Sequence, residues 1–260
     1  MLSNKVLDWM NKTGFPLEMK TALSFRKHSF DVYQSHCYKD YDSDKGREID
    51  VLAIHIDQNS TGMTDVSFIM ECKASKKPWV VLKGEALSDS YHRLNSFCIA
   101  SDKGREAFVD KLMDHGLEHI RDYTETSKYA GYDFRQAMGG DHDPAYGAAV
   151  GVIKACLGYI QDRTHDLPDR LCYCFPVIVV DSPLFECSLN ESGELELQEV
   201  QRSCFNFSSY HPERVSTTVT VITKTELDTF ANDAEKIAVS IRKEFSEREK
   251  ELFDKLCNRT

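Results

Sequence analysis

The sequence has no long hydrophobic run, and this absence argues against a helical membrane protein. No apolar stretch in the 260 residues approaches the roughly 20 residues that a membrane-spanning helix needs. The first residues, MLSNKVLDWMNK, also lack the apolar middle of a signal peptide. We therefore expect a cytoplasmic protein without a membrane partner.

Several common functional motifs are missing as well. The nine cysteines do not have the paired spacing of a zinc ribbon or a disulfide scaffold, and the glycines do not have the spacing of a phosphate-binding loop. Most cysteines are therefore interpreted as small buried hydrophobic residues. The net charge of −10 argues against a protein that holds nucleic acid by phosphate neutralisation over a broad surface.

What the sequence does contain is enough apolar material for one large core. Hydrophobic residues make up 41% of the chain, so residues 1–260 are predicted to form a single domain. Residues 14–80 carry the candidate site, and residues 101–260 are expected to supply the rest of the sheet and further helices.

Hydrophobic periodicity predicts the main elements. Near the N-terminus, a helix over 16–27 precedes three strands over 30–39, 48–57 and 66–75, which form an antiparallel meander. Further helices are predicted over 103–120, 146–160 and 225–257. Val177 to Val180 are apolar without alternation, which is typical of a strand covered on both faces.

Three charged residues interrupt the second and third strands. Asp50 lies in "REIDV", and Glu71 and Lys73 lie in "IMECKAS". Charges are unfavourable in half-buried strands, so these residues need an explanation. Residues two apart on a strand share a face, which places Glu71 beside Lys73, and the hairpin pairing brings Asp50 close to both.

Two adjacent carboxylates repel each other unless a cation lies between them. Mg²⁺ or Mn²⁺ suits such oxygen ligands, and it can activate water and stabilise charge on a phosphate under attack. Lys73 could orient or deprotonate the water, or neutralise charge on the phosphate.

This arrangement resembles the PD-(D/E)XK nuclease superfamily, which has a restriction-endonuclease-like fold. Asp50 matches the first acid of the family motif, although Ile49 stands at the proline position. Glu71 and Lys73 match the acid-x-Lys pair. Glu18 in "FPLEMKTALSFRKHSFDV" matches a glutamate of the first core helix.

The resemblance implies an α/β fold with a mixed central sheet flanked by helices, with additional strands and a helix toward the C-terminus. It also implies a Mg²⁺- or Mn²⁺-dependent endonuclease in which Asp50 and Glu71 bind the metal and Glu18 assists Lys73. DNA is favoured over RNA as the substrate, in a setting such as restriction or defence. Lys76 and Lys77 are candidates to contact phosphates, and a homodimer would supply two sites for two strands.

Other interpretations remain open. The three charges could form a partly buried ion-pair cluster or lie on a solvated strand face. Glu48 could replace Asp50 or act as an additional ligand. The protein could also be a catalytically inactive nuclease-fold module that binds or regulates a partner. His55 is interpreted as a hydrogen-bonded strand histidine rather than a catalytic base.

Overall fold

Eleven strands form one mixed sheet in the computed structural model, which describes residues 1–40, 42–85, 97–114, 117–124, 129–139, 143–210 and 214–258. The strands are β1 Phe30–Asp40, β2 Lys45–His55, β3 Thr64–Lys73, β4 Trp79–Glu85, β5 Ile99–Ala100, β6 Tyr129–Gln136, β7 Leu171–Val180, β8 Leu184–Leu189, β9 Leu195–Val200, β10 Arg202–Tyr210 and β11 Arg214–Thr223. Their order is β1-β2-β3-β7-β11-β10-β6-β4-β8-β9, with β5 paired to β7. Parallel and antiparallel pairs both occur, so the predicted α/β fold with a mixed sheet is confirmed.

Helices cover both faces of this sheet. Those in the described ranges are α1 Leu2–Met10, α2 Phe15–Arg26, α3 Asp102–Asp114, α4 Arg121–Thr124, α5 Pro144–His165, α6 Leu227–Glu244 and α7 Ser246–Cys257. On one face, α2, α3, α6 and α7 pack on a core that contains Phe25, Phe68 and Phe230. On the other face, α5 packs on a second core that contains Ile69 and Ile178. Burial of apolar side chains on both faces is the main stabilising contribution.

The N-terminal half of the sheet follows the prediction closely. β1, β2 and β3 form an antiparallel meander, and β3 then pairs in parallel with β7, with Lys73 beside Val180. All ten residues of β7 are buried, as its continuous apolar sequence indicates. The carboxyl ends of the neighbouring strands β3 and β7 therefore lie side by side, next to the predicted site.

Two helix predictions needed correction. The expected single helix over 225–257 is interrupted at Phe245, whose φ of −107° and ψ of 14° separate α6 from α7. The ring of Phe245 is fully buried, with centroids 4.9 Å from Phe108 and 5.2 Å from Tyr173. Because both helices carry an apolar stripe, the sequence pattern runs through the break. The helix predicted over 103–120 ends at Asp114, and residues 115 and 116 lie outside the described part of the chain.

Within the described ranges, no helix is long and apolar enough to cross a membrane.

Candidate functional site

The candidate site lies where β2 and β3 separate. Their backbone pairing runs from Ile54 beside Ser67 to Val51 beside Met70 and stops there. Asp50 is the next residue on β2, and its Oδ2 accepts a hydrogen bond of 2.7 Å from the backbone N–H of Cys72. The Asp50 carboxylate thus takes the place of a backbone carbonyl as the acceptor for β3 where the strand pairing ends, and this hydrogen bond holds Asp50 against β3.

Glu71 and Lys73 form a direct ion pair at this point. The Nζ atom of Lys73 lies 2.5 Å from Oε1 of Glu71, as expected for residues two apart on one strand face. The side chain of Lys73 is 32% exposed and that of Glu71 is 22% exposed. Helix α5 passes over Glu71 at Gly151, where an added Cβ would lie 3.7 Å from Oε2 of Glu71. The carboxylate therefore occupies a narrow space between β3 and α5 that is open to solvent.

Helix α2 adds Glu18 to the same cluster. Thr21 of α2 contacts Cys72, with 3.7 Å between Oγ1 and Sγ, so this helix packs directly on β3. Burial raises the pKa of Glu18, and so do the charges of Asp50, Glu71 and Glu48. Glu18 therefore lies close enough to the other acids for their charges to act on its pKa.

The cluster contains more negative than positive charge. Burial raises the pKa of Asp50 and that of Glu71, and repulsion from Asp50 raises the pKa of Glu71 further. Lys73 acts in the opposite direction on both carboxyl groups. Titratable groups that are perturbed by both burial and like charge are typical of functional sites. Glu48 contributes as a neighbouring charge, but its side chain is exposed.

The oxygen donors suit a hard divalent cation. In the part of the chain that the structure describes, no group of three or more His, Cys, Asp or Glu residues is placed to hold a metal. Mg²⁺ does not require such a group, because it commonly binds one or two carboxylates, retains several waters and takes further oxygens from substrate phosphates. Asp50 and Glu71 are two such carboxyl groups; both are partly buried, and the charge of Asp50 raises the pKa of Glu71.

The two candidate phosphate-binding lysines lie just beyond β3. Lys76 and Lys77 are exposed in the connection to β4. The backbone of this connection is held in place, because Lys77 N–H donates to Ser75 Oγ at 3.0 Å and Ser182 Oγ donates to Lys77 C=O at 2.8 Å. The lysine side chains thus extend from a fixed backbone close to the carboxyl end of β3, where Lys73 lies.

Two further residues at this edge were not predicted from the sequence. Asp181 follows β7 and accepts a hydrogen bond of 2.8 Å from Ser75 N–H, while Gln136 at the end of β6 donates to Ser75 Oγ at 2.8 Å. Asp181 could have been noticed in the sequence as an acidic residue directly after the apolar run of β7, because ligands often bind at the carboxyl ends of parallel strands. Recognising it requires knowing that β7 lies beside β3.

His55 has the structural role that its position indicates. It is buried, and its Nδ1 accepts a hydrogen bond of 3.1 Å from Nε of Arg242. Burial lowers the pKa of His55 to about 4, and the Arg242 charge contributes. The imidazole is therefore neutral near pH 7 and ties β2 to α6, which confirms that it is a hydrogen-bonded strand histidine.

Comparison of the chain with protein-family models, with curated proteins and with solved structures finds no match in any of the three.

Proposed function

We propose that the protein is a metal-dependent nuclease that hydrolyses phosphodiester bonds, with DNA as its substrate. The observation that carries this proposal is the carboxylate cluster of Glu18, Asp50 and Glu71 around Lys73, in which the pKa of each acid is raised. A site built only for stability has no reason to hold three acids around one amine, because the unbalanced charge is unfavourable.

Asp50 and Glu71 would hold Mg²⁺ or Mn²⁺ in this proposal. When bound, the cation would supply positive charge beside the scissile phosphate and lower the pKa of a water molecule. The hydrogen bond from Cys72 N–H occupies Oδ2 of Asp50 and orients the carboxylate, which leaves Oδ1 for a ligand.

Lys73 has two tasks in the proposed reaction. Its ammonium group donates to Glu71 and holds that carboxylate in place. It also lies where it can stabilise negative charge on a phosphate or orient the attacking water. The water oxygen forms a bond to phosphorus as it gives up a proton to Glu18, the bond to the leaving oxygen breaks, and that oxygen takes up a proton from solvent. Glu18, with its raised pKa, is suited to exchange a proton with this water.

The setting that we propose is restriction or defence against foreign DNA, and a homodimer would present two sites to a duplex. Lys76 and Lys77 would contact the phosphates that flank the scissile bond. These two exposed lysines provide local positive charge in a protein whose net charge is −10.

One observation favours a second candidate, a non-catalytic binding or regulatory module with the same fold. The 2.5 Å pair between Lys73 and Glu71 places an ammonium group on an oxygen that would otherwise be available to a metal. A module of this kind would keep the ion pair and bind its partner through another part of its surface.

A nuclease assay separates the two candidates. The substrates are supercoiled plasmid, linear duplex, single-stranded DNA and RNA, each with Mg²⁺, with Mn²⁺ or with chelator. Wild type is compared with Glu71→Ala and Lys73→Ala, and Glu118→Ala removes a carboxylate from an exposed position as the control.

The nuclease proposal predicts metal-dependent cleavage of DNA by wild type and Glu118→Ala, and a loss of at least about 100-fold in both site variants, the scale of a general acid–base or electrostatic contribution. Absence of cleavage on all four substrates would favour the module. Cleavage that persists in both site variants would place the activity elsewhere.

A further inference from the structure

Helix α1 and the outer side of α2 form an exposed apolar surface. No residue of α1 is buried, and Leu2 and Trp9 are 77% and 57% exposed. The rings of Trp9 and Phe15 lie 6.5 Å apart and connect α1 to a stripe along α2. We call this the N-terminal surface; it consists of Leu2, Val6, Trp9, Phe15, Met19 and Leu23, each about half exposed or more.

Helix α1 gains little stability from packing on the rest of the protein. An isolated nine-residue helix is marginal in water, and α1 buries none of its residues against the sheet. Scattered exposed apolar residues are normal, but a contiguous set on two successive helices is typical of an interaction site.

The charge around the N-terminal surface is opposite to that of the chain. Residues 1–28 contain five Lys or Arg and two Asp or Glu, whereas the whole chain has a net charge of −10. Lys5, Lys12 and Lys20 are exposed and form no ion pair with any residue of the described ranges. The surface therefore fits a partner that is both apolar and acidic.

The β8–β9 hairpin of the same protein has those two properties. Leu189 pairs with Leu195 across the hairpin, and Leu197 lies two residues along on the same face. Leu195 and Leu197 are 77% and 61% exposed. Residues 187–201 contain four glutamates, at positions 191, 194, 196 and 199, and no Lys or Arg. Along β9, Glu199 shares the face of Leu195 and Leu197, whereas Glu196 lies on the opposite face, so the negative charge surrounds the strand on both sides.

Hydrogen bonds within the turn hold the hairpin together. The side chain of Asn190 accepts hydrogen bonds from Ser192 N–H and Glu194 N–H, and Gly193 takes a positive φ of 80° that closes the turn. A preorganised hairpin loses little conformational entropy when it is covered.

The two surfaces cannot cover each other within one chain. Helix α2 packs against β1 and β2 at one edge of the sheet, whereas β9 forms the opposite edge. We propose that the N-terminal surface of one copy docks on the β8–β9 hairpin of a second copy, with Leu195 and Leu197 at the apolar contact and the negative charge of the hairpin attracting the lysines of α1 and α2. This contact joins unlike surfaces and does not depend on the proposed nuclease activity.

Charge reversal tests the contact. One variant carries Lys5→Glu, Lys12→Glu and Lys20→Glu, and the other carries Glu194→Lys, Glu196→Lys and Glu199→Lys. A matched control carries Lys243→Glu, Lys250→Glu and Lys255→Glu, at exposed positions outside both surfaces. Molar mass is measured by light scattering at low and high salt over a concentration series, and circular dichroism checks that each variant is folded.

We expect wild type and the control to have at least twice the mass of one chain at low salt, with a lower mass at high salt. Each reversed variant alone should have the mass of one chain. An equimolar mixture of the two should regain at least twice that mass, because the acidic helices of one variant then face the basic hairpin of the other.

A wild-type protein that stays monomeric at every concentration would overturn the proposal. So would a dimer that both reversed variants retain, since it would use another surface. Binding of monomeric wild type to vesicles containing phosphatidylserine, lost in the lysine variant, would also overturn it and would identify an anionic lipid surface as the occupant.

Discussion

Glu71→Gln should make the protein more stable while it abolishes the proposed nuclease activity. In the folded protein, burial and repulsion from Asp50 both raise the pKa of Glu71, so its charged form lowers stability near pH 7. The change also weakens the pair with Lys73, but both side chains are partly exposed, and such pairs contribute only about 0–1 kcal/mol.

Glutamine has nearly the same shape as glutamate, and its carbonyl oxygen can still accept from Lys73. We therefore expect a net gain of about 1 kcal/mol, within the ~0.5–2 kcal/mol that stabilising substitutions commonly give. For a chain of this size, that gain corresponds to a melting temperature about 2–4 °C higher.

The pH dependence of this gain provides an internal check. A carboxyl group with a raised pKa in the folded state binds more protons there than in the unfolded state. The stability that protonation gives is lost as pH rises through the folded-state pKa, so the advantage of Glu71→Gln should be largest at alkaline pH, above that pKa, and should shrink as pH falls toward 4.5, the ordinary pKa of glutamate. Thermal unfolding over that pH range measures it, with Glu118→Gln as the exposed control.

A fall in stability of about 3–5 kcal/mol for Glu71→Gln would contradict this expectation. That loss is expected when one partner is removed from a buried ion pair that the fold depends on. It would mean that the cluster is structural, as the second candidate function supposes.

The remaining predictions concern the lysine of the site, the sheet and the buried histidine. Lys73→Met should destabilise the protein by roughly 1–3 kcal/mol at pH 7, the opposite sign to Glu71→Gln, because it leaves the carboxylates without their cation; urea unfolding measures this. Gly131→Ala should destabilise by about 1–3 kcal/mol or more in the same assay, since a Cβ would lie 2.2 Å from the carbonyl oxygen of Cys204. Burial lowers the pKa of His55 to about 4, below the usual 6.5, so its contribution to stability is complete above pH 6.5 and is lost as pH falls through 4. That loss should reach about 3 kcal/mol, and His55→Gln should remove this part of the pH dependence; if its unfolding follows the wild-type pH profile, the assignment is wrong.

The first three strands could be predicted because local patterns define them. β-branched residues, polar connections and short loops place β1, β2 and β3 within a few residues of their observed bounds. Pairing of β3 with β7 could not be predicted, because about a hundred residues separate the two strands and any buried apolar strand could fill that place. The break at Phe245 was missed because the apolar stripe of the sequence continues through it from α6 to α7.

The candidate site was also predictable in part. Charged residues at Asp50, Glu71 and Lys73 conflict with their apolar strands, and such conflicts are expected at functional or strained positions. Spacing along one strand gives the pair of Glu71 and Lys73 directly. The hydrogen bond from Ser75 N–H to Asp181 forms because β7 lies beside β3. The space for the Glu71 carboxylate exists because α5 has a glycine, Gly151, at that point. Neither arrangement follows from local sequence.

The proposed function depends on the binding of a divalent cation by Asp50 and Glu71. Isothermal titration of Mn²⁺ into wild type, Asp50→Asn, Glu71→Gln and Glu118→Gln measures this binding without reference to any substrate. We predict one site per chain in wild type and in Glu118→Gln, with binding lost or at least about 10-fold weaker in the other two variants. Absence of binding in wild type, or equal binding in all four proteins, would contradict the proposed metal site.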